Sequence, residues 1–364
     1  LRHRLLNPLG LDIIIKIQIY RTYIFLERGL ILVPECRECS ALLKSLKTLL
    51  KEIGSNKKMQ DKSKERLRNG WESINLHSKS FSWATKLFQK KQGSEIAILY
   101  FLCRGLDDIA DKQSEGKKQK LLNFYKMIEN KDYSLDPSLT KFIEIYNYLH
   151  LDRTIVLQFV EGLIEDQEEV AISDEEELLN YCYKVAGTVG IMMCPLLGCK
   201  NTNAYRFAVD LGVGMQLTNI ARDVMEDSLL DRRYLPGQWL NHLTAEKIRV
   251  ASRNPESNDY EMIQSAISKT LDLANQYYAS GRQGFYYLPF RSKIAVSAAT
   301  TIYQNIGKKI RKRKFNWEEP RVFTSSTNKF FSTIPSLISG IKKGRVEPTH
   351  ENILHKYLPQ CSDY

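Results

Sequence analysis

The sequence predicts an all-α fold, and three observations carry that reading. Proline, the main interrupter of helices, is missing between Pro34 and Pro137 and again between Pro137 and Pro195. Apolar residues recur at helical spacing, as Ile96, Leu99, Cys103 and Leu106 do within residues 95–111. Runs of alternating Val, Ile and Thr are absent, and so are a G-x-G-x-x-G and a P-loop. Residues 204–227 likewise run without a proline, and no internal repeat is visible.

Bulk composition agrees with a globular chain. Of the 364 residues, 43% are apolar and 26% charged, enough for a sizeable core under a soluble surface. No run of about 18 uncharged apolar residues predicts a membrane span. The net charge of +11 is unevenly placed. Residues 1–70 hold 15 Lys/Arg against 7 Asp/Glu, a local +8 that leaves +3 for the remainder. A basic excess at one end is a tail property, and its 57–68 cluster has no aromatics interleaved for base stacking. No nucleic-acid partner is expected.

The expected organisation is a basic N-terminal extension over 1–70, a catalytic domain over 71–345 and a C-terminal tail over 346–364. The apolar, Arg-bearing residues 1–35 read either as an extension or as an organelle presequence. Seven cysteines, an odd number with apolar neighbours at Cys103 and Cys194, predict reduced thiols and a cytoplasmic setting. Cys36 and Cys39 form a lone C-x-x-C with no second pair to complete a zinc site.

Two polar stripes stand out inside otherwise apolar helices. In YFLCRGLDDIAD, Tyr100, Arg104, Asp107 and Asp111 are spaced 4, 3 and 4, on one helical face. In QLTNIARDVMED, Gln216, Asn219, Asp223 and Asp227 are spaced 3, 4 and 4, with Arg222 beside them. A single Asp-x-x-x-Asp more often marks a solvated face. Here like charges lie among apolar neighbours, and burying them raises their pKa unless a cation neutralises them. Oxygen-only donors suit a hard divalent ion such as Mg²⁺, with Mn²⁺ as a substitute, and Arg104 suits phosphate oxygens.

Two such stripes face to face would hold a diphosphate through its metal ions and stabilise it as a leaving group, so that an allylic C–O bond ionises. The cation formed needs a dry pocket and tolerates aromatic faces. Phe81, Trp83, Tyr100 and Tyr183 are candidates for that lining, core packing being the alternative for each.

Four blocks in order, HSKSF (77–81), CRGLDDIAD (103–111), YCYKVAGTVG (181–190) and QLTNIARDVMED with RRYLP (216–236), resemble the squalene/phytoene synthase family over roughly residues 71–325. The resemblance implies an isoprenoid-synthase fold, a single large helical bundle around a central cavity. It implies metal binding by Asp107, Asp111, Asn219, Asp223 and Asp227. It implies diphosphate contacts at His77, Lys79, Ser80, Arg104, Gln216 and Arg222, with Phe81 and Tyr100 at the substrate. Tyr303, in AATTIYQNIG, and Arg321, in PRVFTSS, match the later diphosphate-binding positions. VAGTVG reads as a kinked helix wall that leaves room for substrate, or as close helix packing.

Within that family the GTVGIMMCP stretch and the YLP after the second motif look more like phytoene synthases. The expected reaction is head-to-head condensation of two geranylgeranyl diphosphates to phytoene through a cyclopropyl intermediate, with Mg²⁺ and without NADPH. Thr85, one turn beyond Phe81, is small enough to leave room for a C20 tail. The alternatives are a dehydrosqualene, squalene or presqualene-diphosphate synthase using farnesyl diphosphate, and a non-catalytic assembly relative, a role in which the aspartates tend to be lost. An oily product also predicts peripheral membrane contact.

Overall fold

The helical signals resolve into eleven α-helices among the described residues of a computed structural model, which are 88, 90–111, 116–318 and 346–358. All belong to one unit spanning Glu65–Tyr364. His77, Lys79, Ser80, Phe81, Trp83, Thr85 and Arg321 lie outside the described residues, and so does the side chain of Asp111. No strand forms among the described residues; one isolated bridge joins Ala171 to Arg233. No described helix is long and apolar enough to cross a membrane.

The chain runs α1 (Lys90–Asp111), α2 (Lys117–Asn130), α3 (Thr140–Tyr148), α4 (Arg153–Glu165) and α5 (Glu175–Cys182). A π-helical turn (Tyr183–Gly187) leads directly into α6 (Thr188–Leu196). Then follow α7 (Ala204–Arg222), α8 (Val224–Leu229), α9 (Ala245–Ala251), α10 (Asn258–Gln283) and α11 (Phe290–Lys312). Starts are fixed by side-chain caps. Asp152, Asp174, Thr244 and Ser257 accept from the backbone N–H groups of Ile155, Glu177, Lys247 and Tyr260 at the heads of α4, α5, α9 and α10. Each such cap satisfies a donor that the helix itself leaves unpaired.

The centre of the bundle is α7, which packs along α10 and also meets α6, the π turn and α11. Its buried residues, Phe207, Val209, Val213, Leu217 and Ile220 among them, fall on several faces. That distribution belongs to a helix surrounded by others. By contrast α10 buries a stripe, Tyr260, Ile263, Ile267, Leu271, Ala274 and Tyr278, at intervals of three and four. On the other side α1 meets α2, α3, α4 and α6, burying Ile96, Leu99, Leu102 and Leu106.

Two glycines let α7 come close to the VAGTVG segment. A Cβ on Gly212 would stand 2.4 Å from the Ala186 carbonyl oxygen, and one on Gly190 would stand 2.3 Å from that of Ala208. Neither approach leaves room for a side chain. Close packing, one of the two readings of VAGTVG, is therefore present, and a π-helical turn overlaps the same segment. Thr188 donates its hydroxyl to the Lys184 carbonyl at 2.6 Å within that turn. Tyr183 is fully buried and donates its hydroxyl to Gln158 at 2.7 Å, so it belongs to the core and does not line a cavity.

Candidate active site

The first stripe sits on the C-terminal half of α1. Arg104 forks between two carboxylates, reaching Asp107 at 2.9 Å and Asp108 at 2.7 Å. The sequence reading named Asp107 and missed Asp108, although its position one turn after Arg104 is the signal for that pair. These three side chains are about one-third exposed. The Arg104 Nε is buried with no partner of its own. Tyr100, one turn earlier, has its pKa pushed up to about 12 by burial, against the pull of Arg104 and with the charges of Tyr303 and Asp107 adding to it.

The second stripe is not one continuous helix. Helix α7 ends at Arg222, and Asp223 takes φ −104° and ψ 16° before α8 begins at Val224. Hydrogen bonds still cross the break, from the Asp223 N–H to the Asn219 carbonyl (2.9 Å) and from the Asp227 N–H to the Asp223 carbonyl (2.8 Å). Arg222 donates from Nε and Nη2 to the two oxygens of Asp223, at 2.6 and 2.5 Å. Both side chains of this pair are nearly buried. Asn219 donates to Gln216 Oε1 at 3.2 Å, which leaves its own Oδ1 buried without a partner.

Asp227 is the most perturbed carboxylate of the stripe. Burial first, then the charge of Asp223, push its pKa up to about 8, against the opposing pull of Arg232. A network behind it fixes the surrounding chain. Tyr181 and Tyr234 stack at 4.9 Å and each donates a hydroxyl to Asp166 at 2.9 Å. Arg232 donates to the Asp166 carbonyl at 3.3 Å, and Arg233 donates to those of Ile172 and Leu235 at 2.6 and 2.7 Å. The RRYLP run thus supports the acidic stripe from behind, a role the sequence reading did not assign.

Tyr303, on α11, lies within electrostatic reach of Tyr100 on one stripe and Arg222 on the other. The later position named from the sequence is therefore felt by a residue of each charged row. A groove of about 280 Å³ lies on the flank of α1, lined by Phe101, Asp108, Lys120, Lys141 and Phe142 among others.

The donor set fits a hard cation. A buried, partnerless amide oxygen and a carboxylate pushed towards neutrality are both groups that an added positive charge would satisfy. The guanidinium groups of Arg104 and Arg222 flank these acids and suit phosphate oxygens.

Known proteins match this chain over most of its length. The model of the squalene/phytoene synthase family matches residues 74–328. A 15-cis-phytoene synthase of Pantoea ananas is 32% identical over 258 residues, covering 67% of this chain and 82% of the relative. A 15-cis-phytoene synthase of Paracoccus sp. is 32% identical over 269 residues, covering 71% and 86%. Among solved structures, a dehydrosqualene synthase superposes with a TM-score of 0.66 at 22% identity, covering 76% of this chain and 97% of its own. A squalene synthase from Alicyclobacillus acidocaldarius gives 0.60 at 19%, covering 71% and 97%. These two bear on the fold, which is that of the isoprenoid synthases. With this architecture and a family match over most of its length, the chain belongs to the squalene/phytoene synthase family and is an enzyme of the prenyltransferase type.

Proposed function

We propose that this enzyme condenses two geranylgeranyl diphosphates head to head, giving phytoene and two diphosphates as the entry step of carotenoid synthesis. The observation that carries the reading is the half-buried to buried oxygen-donor row Gln216, Asn219, Asp223 and Asp227, with one amide oxygen lacking a partner and one carboxylate pushed towards neutrality, on a chain about a third identical to phytoene synthases. Asn219, Asp223 and Asp227 would hold Mg²⁺ on one side, and Asp107 and Asp111 on the other. A divalent ion there supplies the positive charge that stabilises the departing diphosphate.

The protein's own groups do the rest. Arg104, Arg222 and Gln216 bind and orient phosphate oxygens, with His77, Lys79, Ser80 and Arg321 assigned to the same task by family resemblance. Tyr100 stays protonated well above neutral pH and can donate its hydroxyl to one of those oxygens. Phe81 is assigned to the prenyl tail. The first C–O bond ionises and the second substrate's double bond attacks the allylic cation. Loss of a proton closes the cyclopropane of prephytoene diphosphate. Loss of the second diphosphate, rearrangement and a final deprotonation give the triene, so no reductant is consumed. An oil is released, and peripheral contact with a membrane follows from its insolubility.

Incubating the purified chain with geranylgeranyl or farnesyl diphosphate and Mg²⁺, each with and without NADPH, tests the proposal by lipid mass. Phytoene from the C20 substrate without NADPH is the expected result. A C30 hydrocarbon from farnesyl diphosphate alone would move the assignment to dehydrosqualene synthesis. A requirement for NADPH would move it to squalene synthesis.

A further inference from the structure

Far from the acidic stripes, three metal-ligating side chains converge where the C-terminal segment meets α7. Asp210 is completely buried, yet it carries two imidazoles: His350 Nε2 lies 2.9 Å from Oδ2 and His355 Nε2 lies 2.8 Å from Oδ1. Ser280, on α10, donates its hydroxyl to Oδ2 at 2.5 Å and fixes the carboxylate plane. Burial works to protonate Asp210, and the hydrogen bonds from His350 and His355 outweigh it and hold its pKa below the ordinary carboxylate value. The His350 side chain is 4% exposed and that of His355 is 10%. The other ring nitrogen of His350, Nδ1, is buried without a partner, so the hydrogen bond to Asp210 is what secures this ring's polar edge. Phe207 packs its ring edge-on to His350 at 5.1 Å between centroids.

We propose that Asp210, His350 and His355 form a structural site for a zinc-class divalent metal, which fastens the C-terminal segment to the bundle. One ligand atom from each of the three side chains already lies within 4.8 Å of the other two. A tetrahedral ion with bonds of about 2.0 Å separates its ligands by about 3.3 Å, so each imidazole has to draw back by only about half an ångström from the carboxylate oxygen it now faces. Two imidazoles and one carboxylate select zinc, cobalt or nickel over magnesium, whose preference is for oxygen. Ser280 is the hydrogen-bonding support that metal-bound carboxylates usually have.

The position suits a structural role. Asp210 lies 13 residues before Asp223, about 20 Å along the helix and on a different face. The segment that supplies both histidines has a single 3₁₀ turn, Asn352–His355, and no α-helix of its own among residues 346–358. It is also held by Leu358, buried in the core, and by polar contacts: Tyr277 donates to the Leu354 carbonyl at 2.6 Å, Arg206 to Asn352 at 3.2 Å and Tyr287 to Glu347 at 3.0 Å. An ion bridging α7 to this segment would couple metal binding to its docking.

The test uses untagged full-length protein stripped with a chelator and titrated with Co²⁺ in excess Mg²⁺, followed by the visible absorption of tetrahedral cobalt. One Co²⁺ per chain is expected, with zinc displacing it. Loss of a direct ligand in His355→Ala or Asp210→Asn should weaken Co²⁺ binding by at least about 100-fold. In the wild type, zinc should slow proteolysis within 346–358, while His355→Ala should be cut at the same rate with or without it. Because prenyl transfer is not read, failure here leaves the proposed reaction untouched. Absence of a tetrahedral cobalt spectrum in the wild type, or an equal spectrum in both variants, overturns the site and leaves a hydrogen-bonded clasp.

Discussion

Arg222 and Asp223 are sequence neighbours locked in a two-point ion pair, Nε to Oδ1 at 2.6 Å and Nη2 to Oδ2 at 2.5 Å, at the point where α7 breaks. The guanidinium occupies both oxygens of a carboxylate assigned to metal, so it stands in for positive charge that the substrate complex would supply. Arg222→Ala should destabilise the metal-free protein by about 3 kcal/mol, because a nearly buried carboxylate loses its partner. Mg²⁺ should recover a good part of that loss. Thermal melts with and without MgCl₂ read both effects, and a melt indifferent to Mg²⁺ would count against metal binding at Asp223.

Asp227 sets a pH dependence whose sign is opposite to that of most acids. Its folded pKa of about 8 lies above the ordinary 3.8, so between those values the folded chain keeps a proton that the unfolded chain has lost. The stability it contributes is complete below the lower value and is lost as pH rises through the upper one. Asp227→Asn removes that dependence while keeping the shape. In the absence of Mg²⁺, the variant should match the wild type near pH 4 and exceed it at pH 8, by an amount on the order of a few kcal/mol. Equal denaturant midpoints at pH 8 would contradict the assignment.

Asp107 and Asp223 lie in the two stripes. Asp107→Asn and Asp223→Asn should each lower kcat for product formation by about 100-fold or more while preserving the far-ultraviolet circular dichroism, as expected when charge stabilisation of a leaving group is removed. Wild-type turnover in either variant would rule out a metal role for that row.

The approach of α7 to the π turn makes Gly212 a stability position. In Gly212→Ala the new methyl would stand 2.4 Å from the Ala186 carbonyl oxygen, with backbone on both sides. Overpacking of this kind costs about 1–3 kcal/mol. The expected melting temperature is lower by about 2–10 °C. An unchanged melt would show that the two helices are free to separate there.

Much of this was readable beforehand. Among the described residues the proline-free stretches are largely helical, and the apolar ladder of α1 is buried at Ile96, Leu99 and Leu106. The polar stripes could be named because charged residues at helical intervals among apolar ones have few structural explanations. The break at Asp223 could not, since no proline or glycine marks it and the chain there answers to its tertiary surroundings. Neither could the π turn, whose hydrogen-bond pattern depends on how α7 presses against Gly187 and Gly190. Asp210 looked like any polar residue on a helix, and its partners lie 140 and 145 residues away. A pair of histidines five apart near the C-terminus was the one available hint.

The interruption at Asp223 also changes what the acidic row can do. In an unbroken rod, the gap between Asp223 and Asp227 would be set by helical pitch and could widen only by unwinding a turn. Here Asp223 is itself the joint, so a small rotation of its backbone would shift its carboxylate against Asp227 while the long central helix stays seated. Under the proposed reaction, such a grip would follow its cargo as one bound anion departs and a second comes into play.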